Sequence, residues 1–394
     1  MSLLRRGTAL LALLAGPALA ASPNDWPQLG HDAAHSYSNP AEKTLKPGRF
    51  KDLTLLWSQK LGQFFVGAST VGQGRVVNCS NLQGIGAQDA VSGAPLWSNP
   101  DLPGNSNCGS AVLDAGTVWL ATDDSVSKHG FLVALEPATG AQRWQRPLAD
   151  PQSVGLLSPV REGKRLYIAD RRSTVHALSA RHGRPQWQVA TGCYQNEPTV
   201  GAGRVFLSTW YYCAEGSMRL ISLDATDGTA RWTQLLSGDS WYAPLLQGPR
   251  VHVSTVDGWV RAFDADSGAP QWSLRLDHYP AAPLVDGGDT VFANDGSAVY
   301  AIDAASGALR WKTVMPRGGS IASNLVLAAG SLFHTVIEQD GTHRLGVVNA
   351  ATGKAGARSA ESMFGDFAQV TVADGRVQVA SNYGYLYVFG LPAR

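Results

Sequence analysis

Glu197, Asp239, Asp277 and Asp366 are the carboxylates best placed for chemistry, because each stands in a short run of aromatic and polar residues. The runs are Tyr194-Gln195-Asn196-Glu197, Asp239-Ser240-Trp241-Tyr242, Asp277-His278-Tyr279 and Phe364-Gly365-Asp366-Phe367, with Arg317 in a fifth loop. Hard cations take several carboxylate or amide oxygens, so these four acids would hold a divalent cation if they converged. His278 suits a general base near neutral pH, and Asp277 or Asp366 suits one when activated. A plainer reading stands beside these: loop aspartates cap turns, and loop aromatics fill channels or cover neighbouring sheets. The chain has no GxSxG elbow, no HExxH zinc pair and no phosphate-cradling glycine loop, so nucleophilic and zinc chemistry are not expected.

Bringing those runs together requires a scaffold, and the scaffold is written as a repeat. The pattern A-x-D-x-x-x-G-x-x-x-W returns along the chain, as Ala134 to Trp144, Ser222 to Trp232, Ala262 to Trp272 and Ala301 to Trp311. Looser copies end at Trp97 and Trp187, and one without the tryptophan surrounds Asn349 and Gly353. Each copy reads as a β-hairpin: an alternating strand, a turn opened by Asp, a Gly where positive φ is required, then an outer strand carrying Trp. An indole is too large to be covered within its own four-stranded sheet, so it should pack on the next one.

A second register agrees. Similar short sequences open the innermost strand of each unit at Gly67, Cys108, Leu157, Asn196, Tyr242, Ala281, Ile321 and Phe367, spaced by about 39 to 49 residues. The last inner strand, Gly384 to Phe389, has nothing after it to pair with, while Leu55-Leu56-Trp57-Ser58-Gln59 is an outer strand with nothing before it. Pairing the two ends closes a ring without exposed sheet edges. The expectation is therefore an all-β, eight-bladed β-propeller spanning residues 55–394, with 21–54 as a leading segment. In such blades the loop entering the innermost strand and the loop leaving the second strand share one end. The runs named above then crowd one mouth of the channel, the default binding site. The four cysteines fall on the same rim, which predicts Cys193 bonded to Cys213 and Cys79 bonded to Cys108 between neighbouring blades. Each bond would contribute about 3 kcal/mol through loop closure.

Composition agrees with this reading. With 43 glycines, 12 tryptophans and 16% charged residues, the chain suits short strands and turns. A formal charge of +1 removes the attraction on which non-specific nucleic-acid or anionic-membrane binding depends. Residues 1–20 place Arg5 and Arg6 before an apolar run ending in Ala18-Leu19-Ala20, the layout of a cleavable signal peptide and too short to span a bilayer. A periplasmic or secreted location follows, with no lipid-anchoring cysteine after the cleavage site and no integral membrane anchor.

The repeat resembles the tryptophan-docking motif of the quinoprotein propellers, named after pyrroloquinoline quinone (PQQ), over roughly residues 25 to 390. Asp25-Trp26-Pro27-Gln28-Leu29-Gly30-His31-Asp32 resembles the segment before the first blade of PQQ-dependent alcohol dehydrogenases. That branch implies PQQ with calcium as cofactor, although its adjacent-cysteine disulfide has no counterpart here. The compact chain also resembles the non-catalytic periplasmic propeller lipoprotein of the outer-membrane protein assembly machine. The leading expectation is a non-catalytic, monomeric scaffold for a periplasmic protein or small ligand. The alternative is a small PQQ-dependent alcohol dehydrogenase.

Overall fold

A computed structural model describes residues 22–392 apart from 63–66, 81–83, 101, 103–108, 115, 125–128, 149–156, 171–172, 214–215 and 366–368. The signal-peptide reading, Cys108, Asp366 and Phe367 therefore lie outside the described residues, as does the side chain of Arg317. Among the described residues the strands form eight sheets, each built on an antiparallel meander of four strands. Blades 1 to 8 are numbered by their innermost strands: Thr70–Gly72, Val112–Asp114, Val160–Glu162, Thr199–Gly201, Leu245–Gln247, Val285–Asp286, Val326–Ala328 and Gln369–Ala373. Blade 8 takes its outer strand from the other end of the chain. Thr54–Lys60 pairs antiparallel with Tyr385–Gly390, setting Leu55 opposite Phe389 and Ser58 opposite Tyr387.

One residue row explains how the blades stack. Across blade 5, Leu245 lies opposite His252, His252 opposite Ala262 and Ala262 opposite Trp272. The small alanine leaves room for two rings, and His252 meets Trp272 with centroids 5.4 Å apart. The same row carries Tyr167 with Trp187, Phe206 with Trp232 and Phe292 with Trp311, at 5.8–5.9 Å. Each indole then lies under the turn glycine of the following blade. A Cβ on Gly307, whose φ is +75°, would stand 2.6 Å from Trp272, so the turn conformation and the indole both demand glycine. Trp272 Nε1 also donates to Ala304 O at 3.0 Å, a bond repeated from Trp97, Trp187 and Trp232 to the turns that follow them. The turn aspartate behaves as its type suggests: Asp303 Oδ1 accepts from Ala305 N, Ser306 N and Ser306 Oγ.

The leading segment is more than a lead-in. From Trp26 to Asn39 it runs around the inside of the ring at the end carrying these turns, touching the innermost strands in blade order. Trp26 bridges Val71 of blade 1, and Ser38–Asn39 pairs in parallel with Leu327 and Ala328 of blade 7. Trp26, His35, Tyr37 and Asn39 are buried there. Its curvature comes from positive φ at Gly30, His31, His35 and Tyr37, a region that residues other than glycine seldom occupy. Asp32 supports the bend by accepting from Ala34 N, Ser36 N and Ser36 Oγ.

Candidate functional site

The rim opposite this belt carries the loops that the sequence singles out. In blade 4 the second strand runs long, Arg204–Cys213, and a short extra strand, Cys193–Gln195, pairs with its end. That pairing sets Cys193 opposite Cys213, and the two are joined by a disulfide. Cys79 is also disulfide-bonded. Tyr194 and Glu197 are half-buried beside the covered Asn196, whose Nδ2 reaches Ser240 O at 2.7 Å and Tyr242 O at 3.0 Å. Those bonds hold the run containing Asp239, Trp241 and Tyr242 against blade 4.

Tyr242 donates to Ala281 O at 2.7 Å, which ties the same loop to the start of blade 6. Burial, reinforced by nearby Tyr279, pushes its phenol up to about 12, so it stays protonated. Trp241 and Tyr279 are left outside. They are 50% and 56% exposed and meet edge to face at 5.9 Å. An exposed aromatic pair is apolar surface on offer, the kind that anchors partners at interfaces. Asp239 is half-buried, and its backbone oxygen accepts from Val256 N.

Asp277 and His278 are exposed. Asp277 turns toward the outer strand, where it pairs with Lys312, and the ammonium also lies 5.3 Å from the Tyr300 ring. Among the described residues no ion pair joins His278 to a carboxylate, and no three His, Cys, Asp or Glu side chains are grouped to hold a metal ion. Arg317 sits in the short 3-10 turn Pro316–Gly318. Of the three described candidate acids, Asp277 is therefore taken up by Lys312 on the outer strand, while Glu197 and Asp239 stay half-buried at the rim.

Other rim aromatics, Tyr383 and Trp259 among them, escape the sequence reading, whereas Phe364 belongs to a run that it named. Phe364 is 61% exposed, packs on Tyr383 at 5.0 Å and Tyr385 at 6.1 Å, and donates its backbone N–H to Tyr387 Oη. The period-two spacing of Tyr385 and Tyr387 is the signal that places those two on one face of the last strand, while Tyr383 comes from the turn before it. Trp259, stacked under Arg261 at 5.3 Å, belongs to the same group.

Two cavities lie at the belt end. The larger, about 1050 Å³, is bounded by Lys43 and Lys46 of the stretch following Asn39, Asp286, Arg310 and Trp311 of blade 6, and Ala350 of blade 7. The smaller, about 340 Å³, runs over blades 1 to 3, and His31 and Asp32 border both. Burial pushes the Asp286 carboxyl up, with Asp32 adding to it. These acids already serve the fold, since Asp286 accepts from Gln247 Nε2 and Gly288 N.

Comparison with known proteins adds ancestry to this geometry. BamB of Burkholderia pseudomallei strain K96243 is 28% identical over 214 residues, 54% of this chain and 44% of that protein. BamB of Yersinia pestis is 26% identical over 168 residues, 40% of this chain and 43% of that protein. The chain thus matches less than half the length of these curated relatives. Among solved structures, BamB from Moraxella catarrhalis superposes with a TM-score of 0.64 at 20% identity, covering 86% of this chain and 99% of that one. The quinohemoprotein alcohol dehydrogenase of Comamonas testosteroni gives 0.71 at 14% identity, covering 94% and 81%. Both share the propeller fold. The family model described as outer membrane protein assembly factor BamB matches residues 51–170, 132–210 and 171–391, and with nearly the whole ring inside those matches the chain belongs to that family.

Proposed function

We propose that this protein is an exported, non-catalytic propeller that docks a protein partner on the rim around blade 5. The observation that carries the reading is the Trp241–Tyr279 pair, half exposed and in mutual contact, beside a loop that Asn196 and the Tyr242 hydroxyl tie to blades 4 and 6. The relatives named as outer membrane protein assembly factors support a protein-binding role. The Cys193–Cys213 disulfide supports an oxidising compartment, in keeping with the leader at residues 1–20. No helix among the described residues is long and apolar enough to cross a membrane.

The test is capture from envelope extracts by the full-length protein and by its Trp241→Ala/Tyr279→Ala double variant. Truncating an interface anchor costs about 2 kcal/mol or more, roughly a thirtyfold loss of affinity. A partner retained by the parent and lost by a folded variant is the expected result. Equal capture by both would overturn the assignment of the rim. The alternative, a small PQQ-dependent alcohol dehydrogenase, is checked on the same preparation by adding PQQ with calcium and following dye reduction. Turnover there would overturn the non-catalytic reading.

A further inference from the structure

An innermost propeller strand is an edge strand, and its channel-facing N–H groups have no ladder partner of their own. In this ring the belt supplies one. Val71 N donates to Trp26 O at 2.9 Å and Leu113 N to Pro27 O at 2.7 Å. Arg161 N donates to Gln28 Oε1 at 2.8 Å. Val200 N then donates to Ala33 O, Leu246 N to Ala34 O, Asp286 N to Ser36 O and Leu327 N to Tyr37 O, at 2.7, 3.1, 2.8 and 3.0 Å. For blade 8 the polarity reverses, and Asn39 Nδ2 donates to Val372 O at 2.9 Å. Fourteen residues, Trp26 to Asn39, thus contact every blade in ring order.

The circle also fastens to itself. Asn39 Nδ2 reaches Asn24 O at 3.1 Å, and Asn24 Nδ2 donates to Glu42 Oε2 at 3.0 Å. Glu42 is fully buried. Its Oε2 also accepts from Gly375 N of blade 8 at 2.7 Å, while Oε1 accepts from Leu45 N. Start, end and last blade therefore meet at one carboxylate.

We infer that residues 22–46 form a buckled belt, a second closure of the propeller that is separable from the ring and acts independently of the strand exchanged into blade 8. The exchanged strand ties blade 8 from outside; the belt ties all eight blades from inside. A ring with two closures tolerates loss of one, and the inner one is releasable because no blade takes any of its own four strands from it, although burial of Trp26, Tyr37 and Leu45 adds to its hydrogen bonds.

The test uses the full chain with a protease recognition sequence in place of the exposed Lys46–Gly48 turn, cleaved after folding, so that the ring keeps its own outer strand. The cut segment is expected to co-elute with the ring. It should leave at a lower urea concentration than the ring's own unfolding transition. After release, the amides of Val71, Leu113, Arg161, Val200, Leu246, Asp286 and Leu327 should exchange at least a hundredfold faster. Val253 and Val291, in second strands, should keep their protection. A synthetic Ser22–Lys46 peptide should restore the slow exchange at one peptide per ring, and Glu42→Gln should lower the urea needed for release. Release only together with global unfolding would overturn the inference. So would unchanged exchange of the seven amides once the segment has gone.

Discussion

The two ends of this ring follow different rules. At the belt end the blades repeat one solution, in which an aspartate closes a turn, a glycine at positive φ follows, and an indole from the preceding blade lies beneath it. At the rim the repeat lapses. One blade carries a disulfide-braced extra strand, the next presents Trp241, and the turn before the final strand presents Tyr383 against Phe364. Where the repeat is strict, large side chains are committed to packing between blades. Where it lapses, they are free to face solvent, which is why a partner surface belongs at that end.

The contrast breaks most easily at the repeated end, where the largest effect is expected. Trp272→Ala removes the ring beneath Gly307 together with the bond to Ala304, and should cost about 3 to 5 kcal/mol in urea unfolding. A loss no larger than about 0.5 kcal/mol, the scale of an ordinary surface change, would mean that the indoles do not hold the blades.

Acid comes next, acting through the belt. His35 is fully buried, and burial holds its imidazole down to about 4 against an ordinary 6.5, although Asp32 pulls the other way. The folded protein thus takes up this proton at lower pH than the unfolded chain does. Between pH 6.5 and 4 the unfolded state binds more protons, so stability is full above 6.5 and falls as pH drops through that window. The loss is of the order of 3 kcal/mol by pH 4. Urea midpoints at pH 7, 5.5 and 4 should slope less steeply for His35→Asn than for the parent. Identical slopes would show that the histidine is not buried neutral in the belt. Asn39→Ala should have a smaller effect, about 1 to 3 kcal/mol, because it strips the hydrogen bond from the covered Val372 carbonyl. The same variant should speed belt release, which separates a belt defect from a general loss.

How legible each end is from sequence follows from what it is made of. Blade number, ring closure through Thr54–Lys60 and the Cys193–Cys213 bond were readable because periodic side chains specify them. The belt was not readable. Its grip on blades 4 to 7 comes from the carbonyls of Ala33, Ala34, Ser36 and Tyr37, groups that any residue supplies. Of this stretch the sequence marked only Asp25 to Asp32, and only as a segment preceding the first blade. At the rim, residue types were legible and directions were not. Trp241 and Tyr279 meet on the outside, whereas Asp277, grouped by sequence with other candidate ligands, swings to Lys312. A lysine on a neighbouring outer strand is a long-range partner, and no local pattern announces it. The second-strand ring that backs four of the indoles was visible in the residues at Tyr167, Phe206, His252 and Phe292, but its meaning depends on strand register.

The smallest expected effect is the most discriminating. If Trp241 and Tyr279 packed the ring, removing them would destabilise it as Trp272→Ala does. If they are surplus to the fold, Trp241→Ala/Tyr279→Ala should leave the urea midpoint within about 0.5 kcal/mol of the parent. Half of each ring already contacts water, and the loop that carries Trp241 is held by Asn196 and by the Tyr242 hydroxyl rather than by the indole. A destabilisation above about 1 kcal/mol would place the pair with the packing residues and erase the distinction between the two ends. An unchanged midpoint with lost capture would instead show that the rim contributes to binding and the opposite end to folding.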